Sequence, residues 1–213
     1  MMSDTAQQPK LLGFTGQHNV PDPEGLGVAM RREVVAMRDL LGKRMIAITS
    51  AAAGADGVFL KTCVELRIPA IVILPYPEER FANDYEDAEE WAMTRRLCGV
   101  ALAKYVAPGG HEAQEACQLV SRLLLEWADA FLFVWNGEPQ EGAGCTGETV
   151  EEARDLGIPS RIIDVASYAA KWETPPDPSR KARHGFDTRA DLLDFLDARF
   201  STRMDGLSVP RSN

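Results

Sequence analysis

Three short stretches of this 213-residue chain combine small residues and hydroxyls in the manner of ligand-holding turns. The first is Gly13-Phe14-Thr15-Gly16-Gln17-His18-Asn19. Gly13 and Gly16 permit close approach to the backbone, Thr15 offers a hydroxyl, and His18 follows in the loop. The second is Thr49-Ser50-Ala51-Ala52-Ala53-Gly54-Ala55-Asp56, where hydroxyls give way to small side chains and then to a helix start. Free N–H groups at a helix start favour an anion such as phosphate. Asp56 can equally cap that helix. The third runs from Trp135-Asn136-Gly137 through Gly142, Gly144, Cys145 and Thr146 to Glu148. A glycine-rich loop with a hydroxyl ahead of a helix is what a phosphate or ribose cradle needs. The P-loop ending Gly-Lys-Ser/Thr does not occur, nor does GxGxxG after a first strand.

A carboxylate beside such turns can stabilise or attack an oxocarbenium-like centre while an acid helps a base to leave. Glu148 is the first candidate for that catalytic role and Asp56 the second. Glu148, Glu151 and Glu152 also complement the dipole of the helix that begins there, without any chemistry. Cys63, Cys98, Cys117 and Cys145 form no CxxC pair, and His18, His111 and His184 are scattered. No metal site and no other cofactor are expected. Cys63 and Cys117 fall on apolar helix faces, where a small thiol is a packing residue.

The elements that must position these turns alternate along the chain. Leu11–Thr15, Met45–Thr49, Ala70–Leu74, Ala101–Val106, Ala130–Trp135 and Ser160–Val165 read as strands. Leu26, Met30, Val34, Met37 and Leu41 recur at helical spacing, as do Phe59, Cys63 and Leu66. Tyr85–Leu97 reads as a helix with Ala88, Trp91 and Leu97 inward. Ala113, Cys117, Val120, Leu124 and Trp127 mark the clearest helix, and a short one follows from Glu148 to Leu156. Pro75 stops the third strand and opens a loop to Asn83. Nearly continuous apolar strands are buried on both faces. The expected fold is therefore a single α/β domain, Rossmann-like, with an open, mostly parallel sheet and helices on both faces. Ligands in such folds sit beyond the carboxyl ends of the strands, near a topological switch point. Residues 1–10 read as a polar N-terminal segment and 11–166 as the Rossmann-like domain. Residues 167–213 read as a Pro-rich excursion from Lys171 to Gly185, then a helix over Asp191–Phe200 and a tail, docked on the same domain.

An apolar fraction of 45% and a charged fraction of 26% are ordinary globular values. No apolar run is long enough to span a membrane, and Met1 to Lys10 lacks a signal-peptide pattern. A cytoplasmic protein is expected. The net charge of −9 repels phosphate backbones and argues against nucleic-acid binding. It leaves room for a small anion held by backbone N–H groups.

Taken together, the turns resemble the SLOG superfamily, which includes the LOG phosphoribohydrolases, the DNA-processing protein DprA and nucleotide-sensing domains of bacterial defence systems. The resemblance runs from about Leu11 to Val165. It rests on Gly-Phe-Thr-Gly at 13–16, the hydroxyl-rich turn ending Gly54-Ala55-Asp56, and the strand ending Leu74-Pro75. Trp135-Asn136-Gly137 and Gly144-Cys145-Thr146 complete it. It implies a Rossmann-like sheet that binds nucleotides or their derivatives. Three departures stand out. Gln17 displaces His18 by one position from the usual Gly-His-Arg, and Thr49-Ser50 replaces Ser-Gly. Thr149 stands where the hydrolases carry a catalytic glutamate, with Glu148 one place early and so turned about 100° around a helix. These departures favour binding over hydrolysis. The expectation is a module that binds a nucleotide-like small molecule, such as an ADP-ribose-like or cyclic nucleotide signal, and that assembles as a homo-oligomer. The alternative is an N-glycosidase of nucleoside 5′-monophosphates; DNA binding or a pure partner-binding role ranks below both.

Overall fold

The computed structural model describes residues 8–108, 112–138, 146–177, 179 and 186–200. The apolar runs form the strands β1 (Leu11–Gly16), β2 (Ile46–Thr49), β3 (Ala70–Leu74), β4 (Ala103–Val106), β5 (Ala130–Val134) and β6 (Ser160–Ile163). Between them run α1 (Pro23–Leu41), α2 (Ala55–Glu65), a single turn α3 (Glu78–Phe81), α4 (Ala88–Gly99), α5 (Ala113–Trp127) and α6 (Thr146–Asp155). A seventh strand, β7 (Ala170–Thr174), and α7 (Arg189–Arg199) follow. The sheet order is β4-β3-β2-β1-β5-β6-β7. All neighbours are parallel except β6 and β7. This is the Rossmann-like, mostly parallel architecture, and its switch point lies between β1 and β5. There the chain leaves β1 toward β2 and later resumes on the other side.

Alternate residues of the strands face opposite layers. Leu12, Phe14, Ala47, Val72 and Leu132 pack against Leu26, Met30, Val34 and Met37 of α1 and Phe59 and Cys63 of α2. Phe14 and Phe59 stack with ring centroids 4.1 Å apart. Leu11, Ile48, Ile71, Phe131 and Phe133 pack against Val120, Leu124 and Trp127 of α5, Val150 of α6, and Leu192, Leu196 and Phe200 of α7. Cys63 is fully buried, whereas Cys117 is only half-buried. No described helix is long and apolar enough to cross a membrane.

Two segments differ from expectation. Lys171 opens no excursion; it lies inside β7, which pairs antiparallel with β6. An edge strand is buried on one side only, so Ala170-Lys171-Trp172-Glu173-Thr174 lacks the apolar run that marks the central strands. The segment after Pro75 holds α3 and a 3₁₀ turn (Ala82–Asp84) instead of loop alone, because Tyr76, Phe81, Tyr85 and Trp91 pack edge to face.

One charged pair fastens the late strands to α1. Glu33, 3% exposed, lies 2.9 Å from Arg161 Nη2 of β6 and 2.7 Å from Arg32 Nε. The Arg161 guanidinium sits 4.9 Å above the Trp172 ring of β7, at cation–π distance.

Candidate functional site

The described parts of the three turns follow β1, β2 and β5 at the carboxyl edge of the sheet. The first continues the β1 ladder by one residue: Gln17 N donates to Val134 O at 3.1 Å, and Gln17 O accepts from Ala55 N at 3.1 Å. Gly13 lies in mid-strand, where a Cβ would stand 2.3 Å from the Phe131 ring. At Gly16 a Cβ would stand 2.6 Å from Ala55 Cβ. These glycines let helices and rings close on β1. Thr15 is half-buried and His18 is exposed.

The second turn is held from inside. Asp56 is 0% exposed. Its Oδ2 accepts from Thr49 Oγ1 at 2.7 Å, Ser50 Oγ at 2.8 Å and Ala52 N at 3.2 Å. Burial pushes this carboxyl above the usual aspartate range, against the pull of the two hydroxyls and the amide. Ala51 adopts φ 57°, and its carbonyl accepts from Tyr85 OH at 2.5 Å. Gly54 has φ +85°, and a Cβ there would meet His18 O at 2.0 Å. Only glycine satisfies both demands.

The position expected to hold phosphate is filled by the protein itself. Gly54 N, at the start of α2, donates to Glu90 Oε1 of α4 at 2.7 Å. Asp22 does the same for α1: its Oδ1 accepts from Glu24 N at 3.1 Å and Gly25 N at 2.9 Å. At these two helix starts a side-chain carboxylate therefore takes the place of an anionic ligand.

In the third turn, Trp135 Nε1 donates to Glu138 O at 2.9 Å and Asn136 Oδ1 accepts from Glu138 N at 3.0 Å. Gly137 follows with φ +83°. Thr146 is buried at the first position of α6. Gly142, Gly144 and Cys145 lie outside the described residues. Glu148 is half-buried beside a crevice of about 10 Å³ between α5 and α6, shared with Gln118, Ser121 and Arg122. It belongs to the layer opposite Asp56, so the structure does not bring the two carboxylates together. Pro75 is buried at the end of β3.

The large cavity among the described residues, about 630 Å³, opens beside His18 and Gly54 and runs down α2 between α1 and α4. That volume suits a small ligand. Its lining forms three facing stripes at helical spacing. Glu24, Gly27, Val28 and Arg31 come from α1; Gly57, Val58 and Lys61 from α2; Asp87, Glu90, Met93 and Leu97 from α4. Glu24, Asp87 and Glu90 place carboxylates at the head, near the carboxyl edge. Val28, Val58 and Met93 make an apolar middle. Arg31, Lys61 and Glu65 lie lower; Glu65 is paired with Arg31. Of the expected site residues, His18 and Gly54 line this cavity, while Thr49, Ser50 and Asp56 support its head from behind.

Sequence reasoning missed the helical part of the lining. Its signals were glycines inside two helices, Gly27 and Gly57, and apolar side chains on the outer faces. Val28 is 72% and Met93 48% exposed.

No known family's sequence profile matches the chain. It is 28% identical over 172 residues to WD repeat domain phosphoinositide-interacting protein 2 of Xenopus laevis, a match covering 66% of this chain and 40% of that protein. WD repeats build four-stranded propeller blades, and the parallel sheet here is not of that kind. Among solved structures, DNA processing protein A (DprA) of Streptococcus pneumoniae is similar with a TM-score of 0.48 at 12% identity, covering 74% of this chain and 50% of that one. The chain thus spans half or less of each of these proteins.

Proposed function

We propose that this protein binds a nucleotide-class small molecule in the cavity between α1, α2 and α4, as a SLOG-like module without turnover. The observation that carries the reading is the cavity itself: about 630 Å³ at the carboxyl edge, with His18 and Gly54 from two of the three turns at its head. Ligands of open α/β sheets occupy this edge. The net charge of −9 disfavours a long phosphate backbone as partner but not a single small anion.

Thermal melting against nucleoside monophosphates, ADP-ribose derivatives and cyclic nucleotides tests the reading. Chromatography of each mixture follows. A ligand at a hundred times its dissociation constant stabilises the fold by about 2.7 kcal/mol. A shift with the ligand recovered intact is the expected outcome. Release of free base that disappears in Glu148→Gln makes the protein an N-glycosidase instead. No shift with any compound removes the nucleotide reading.

A further inference from the structure

The cavity is graded along its length, and the gradient selects how a ligand lies in it. Glu24, Asp87 and Glu90 stand at the head. Glu90 is fixed there by the Gly54 amide. Below them, Val28, Val58 and Met93 offer apolar walls. Lys61 lines the cavity two helical turns further down α2, about 10 Å from Gly54 along the axis. Among the described residues it has no ion pair or hydrogen-bond partner, whereas Arg31 is engaged by Glu65. A carboxylate accepts hydrogen bonds and repels carbonyl oxygens and phosphates. The head therefore suits an N–H₂ group, the middle a flat apolar ring, and Lys61 an anion. That order is the order of parts in a nucleoside monophosphate with an amino-bearing base: exocyclic amine, ring, ribose, 5′-phosphate.

We propose, building on the nucleotide reading above, that the protein selects adenine-type nucleotides over their 6-oxo counterparts. The base amine donates to Glu90 and the phosphate faces Lys61. Glu90 is thus a specificity residue that turns the phosphate away from the start of α2. In adenine the 6-position carries an N–H₂ donor; in hypoxanthine it carries an oxygen, which would face the carboxylate unpaired.

Calorimetric titration of the full chain with AMP and with IMP tests this, alongside Glu90→Gln and Lys61→Ala. Both substitutions keep the fold accessible, since glutamine preserves an acceptor for the Gly54 amide and Lys61 is exposed; unchanged melting of the free variants confirms it. AMP is expected to bind at least about tenfold more tightly than IMP. Glu90→Gln reduces that ratio toward one, because its side chain can either accept or donate. Lys61→Ala weakens AMP and IMP alike, about tenfold. Equal affinities of AMP and IMP overturn the selectivity while leaving nucleotide binding intact. So does tighter AMP binding in Glu90→Gln without a change in the ratio, which would place the phosphate at the start of α2. Binding of neither AMP nor IMP by the wild-type chain, with a melting shift from another nucleotide, refutes the adenine assignment alone. Silence toward every nucleotide removes both readings.

Discussion

At the scale of the residue, Gly54 and Asp56 show why the second turn has its composition. Gly54 holds a positive φ with a neighbouring carbonyl where its Cβ would be. Gly54→Ala is expected to destabilise the fold by about 3 kcal/mol, read as a lower urea midpoint at unchanged slope. Asp56 is raised by burial, so the native state holds its proton more tightly than the unfolded chain does. Its contribution to stability is therefore present below the ordinary aspartate range and is lost as pH rises through the elevated native value. Asp56→Asn removes that loss: the difference in unfolding free energy between wild type and variant changes in this window and is flat on either side. The legible signal here was the run of hydroxyls and small residues. The illegible part was its use. The hydroxyls of Thr49 and Ser50 face inward to Asp56, and the helix start is satisfied by Glu90, 36 residues away in sequence.

At the scale of the element, the central strands were readable because both their faces are buried, and β7 was not because it is an edge beside prolines. Besides its ladder to β6, it is tied by the Trp172 ring against Arg161, whose guanidinium pairs with Glu33 of α1. Glu33 is also paired with Arg32, so Arg161 is the member that stands uncompensated when its partner is removed. Glu33→Leu is expected to cost about 3 kcal/mol, whereas Glu33→Leu combined with Arg161→Met returns to within about 1 kcal/mol of wild type. Chemical denaturation of the four proteins of this cycle checks it. Helices α1, α2 and α5 were legible by their inward stripes, whereas α4 buries Thr94 and Cys98 and leaves the expected Ala88 exposed; inward stripes also say nothing of the cavity. It is built from the opposite stripes, where Gly27, Val28, Gly57 and Met93 sit among charges and where periodicity reports nothing.

At the scale of the whole molecule, the sheet depends on its last elements. Leu192, Leu196 and Phe200 complete the layer over Trp127 and Tyr105. A chain stopped after Val165 would uncover that layer and leave β6 as a bare parallel edge. It is expected to lose near-ultraviolet circular dichroism and soluble yield together; retention of a sharp melting transition would show that β1 to β6 suffice. The mostly parallel sheet with helices on both faces was legible from the alternation of strand and helix; the strand order was not, because it depends on the side to which each crossover returns.

The first described residue also touches the segment just ahead of α7: Gln8 Nε2 donates to Asp187 Oδ1 at 3.0 Å. Gln8 leads into the start of β1, at the amino edge of the sheet, while the cavity opens at the carboxyl edge. A neighbouring domain or a reporter fused ahead of Gln8 thus departs from the pole opposite the cavity.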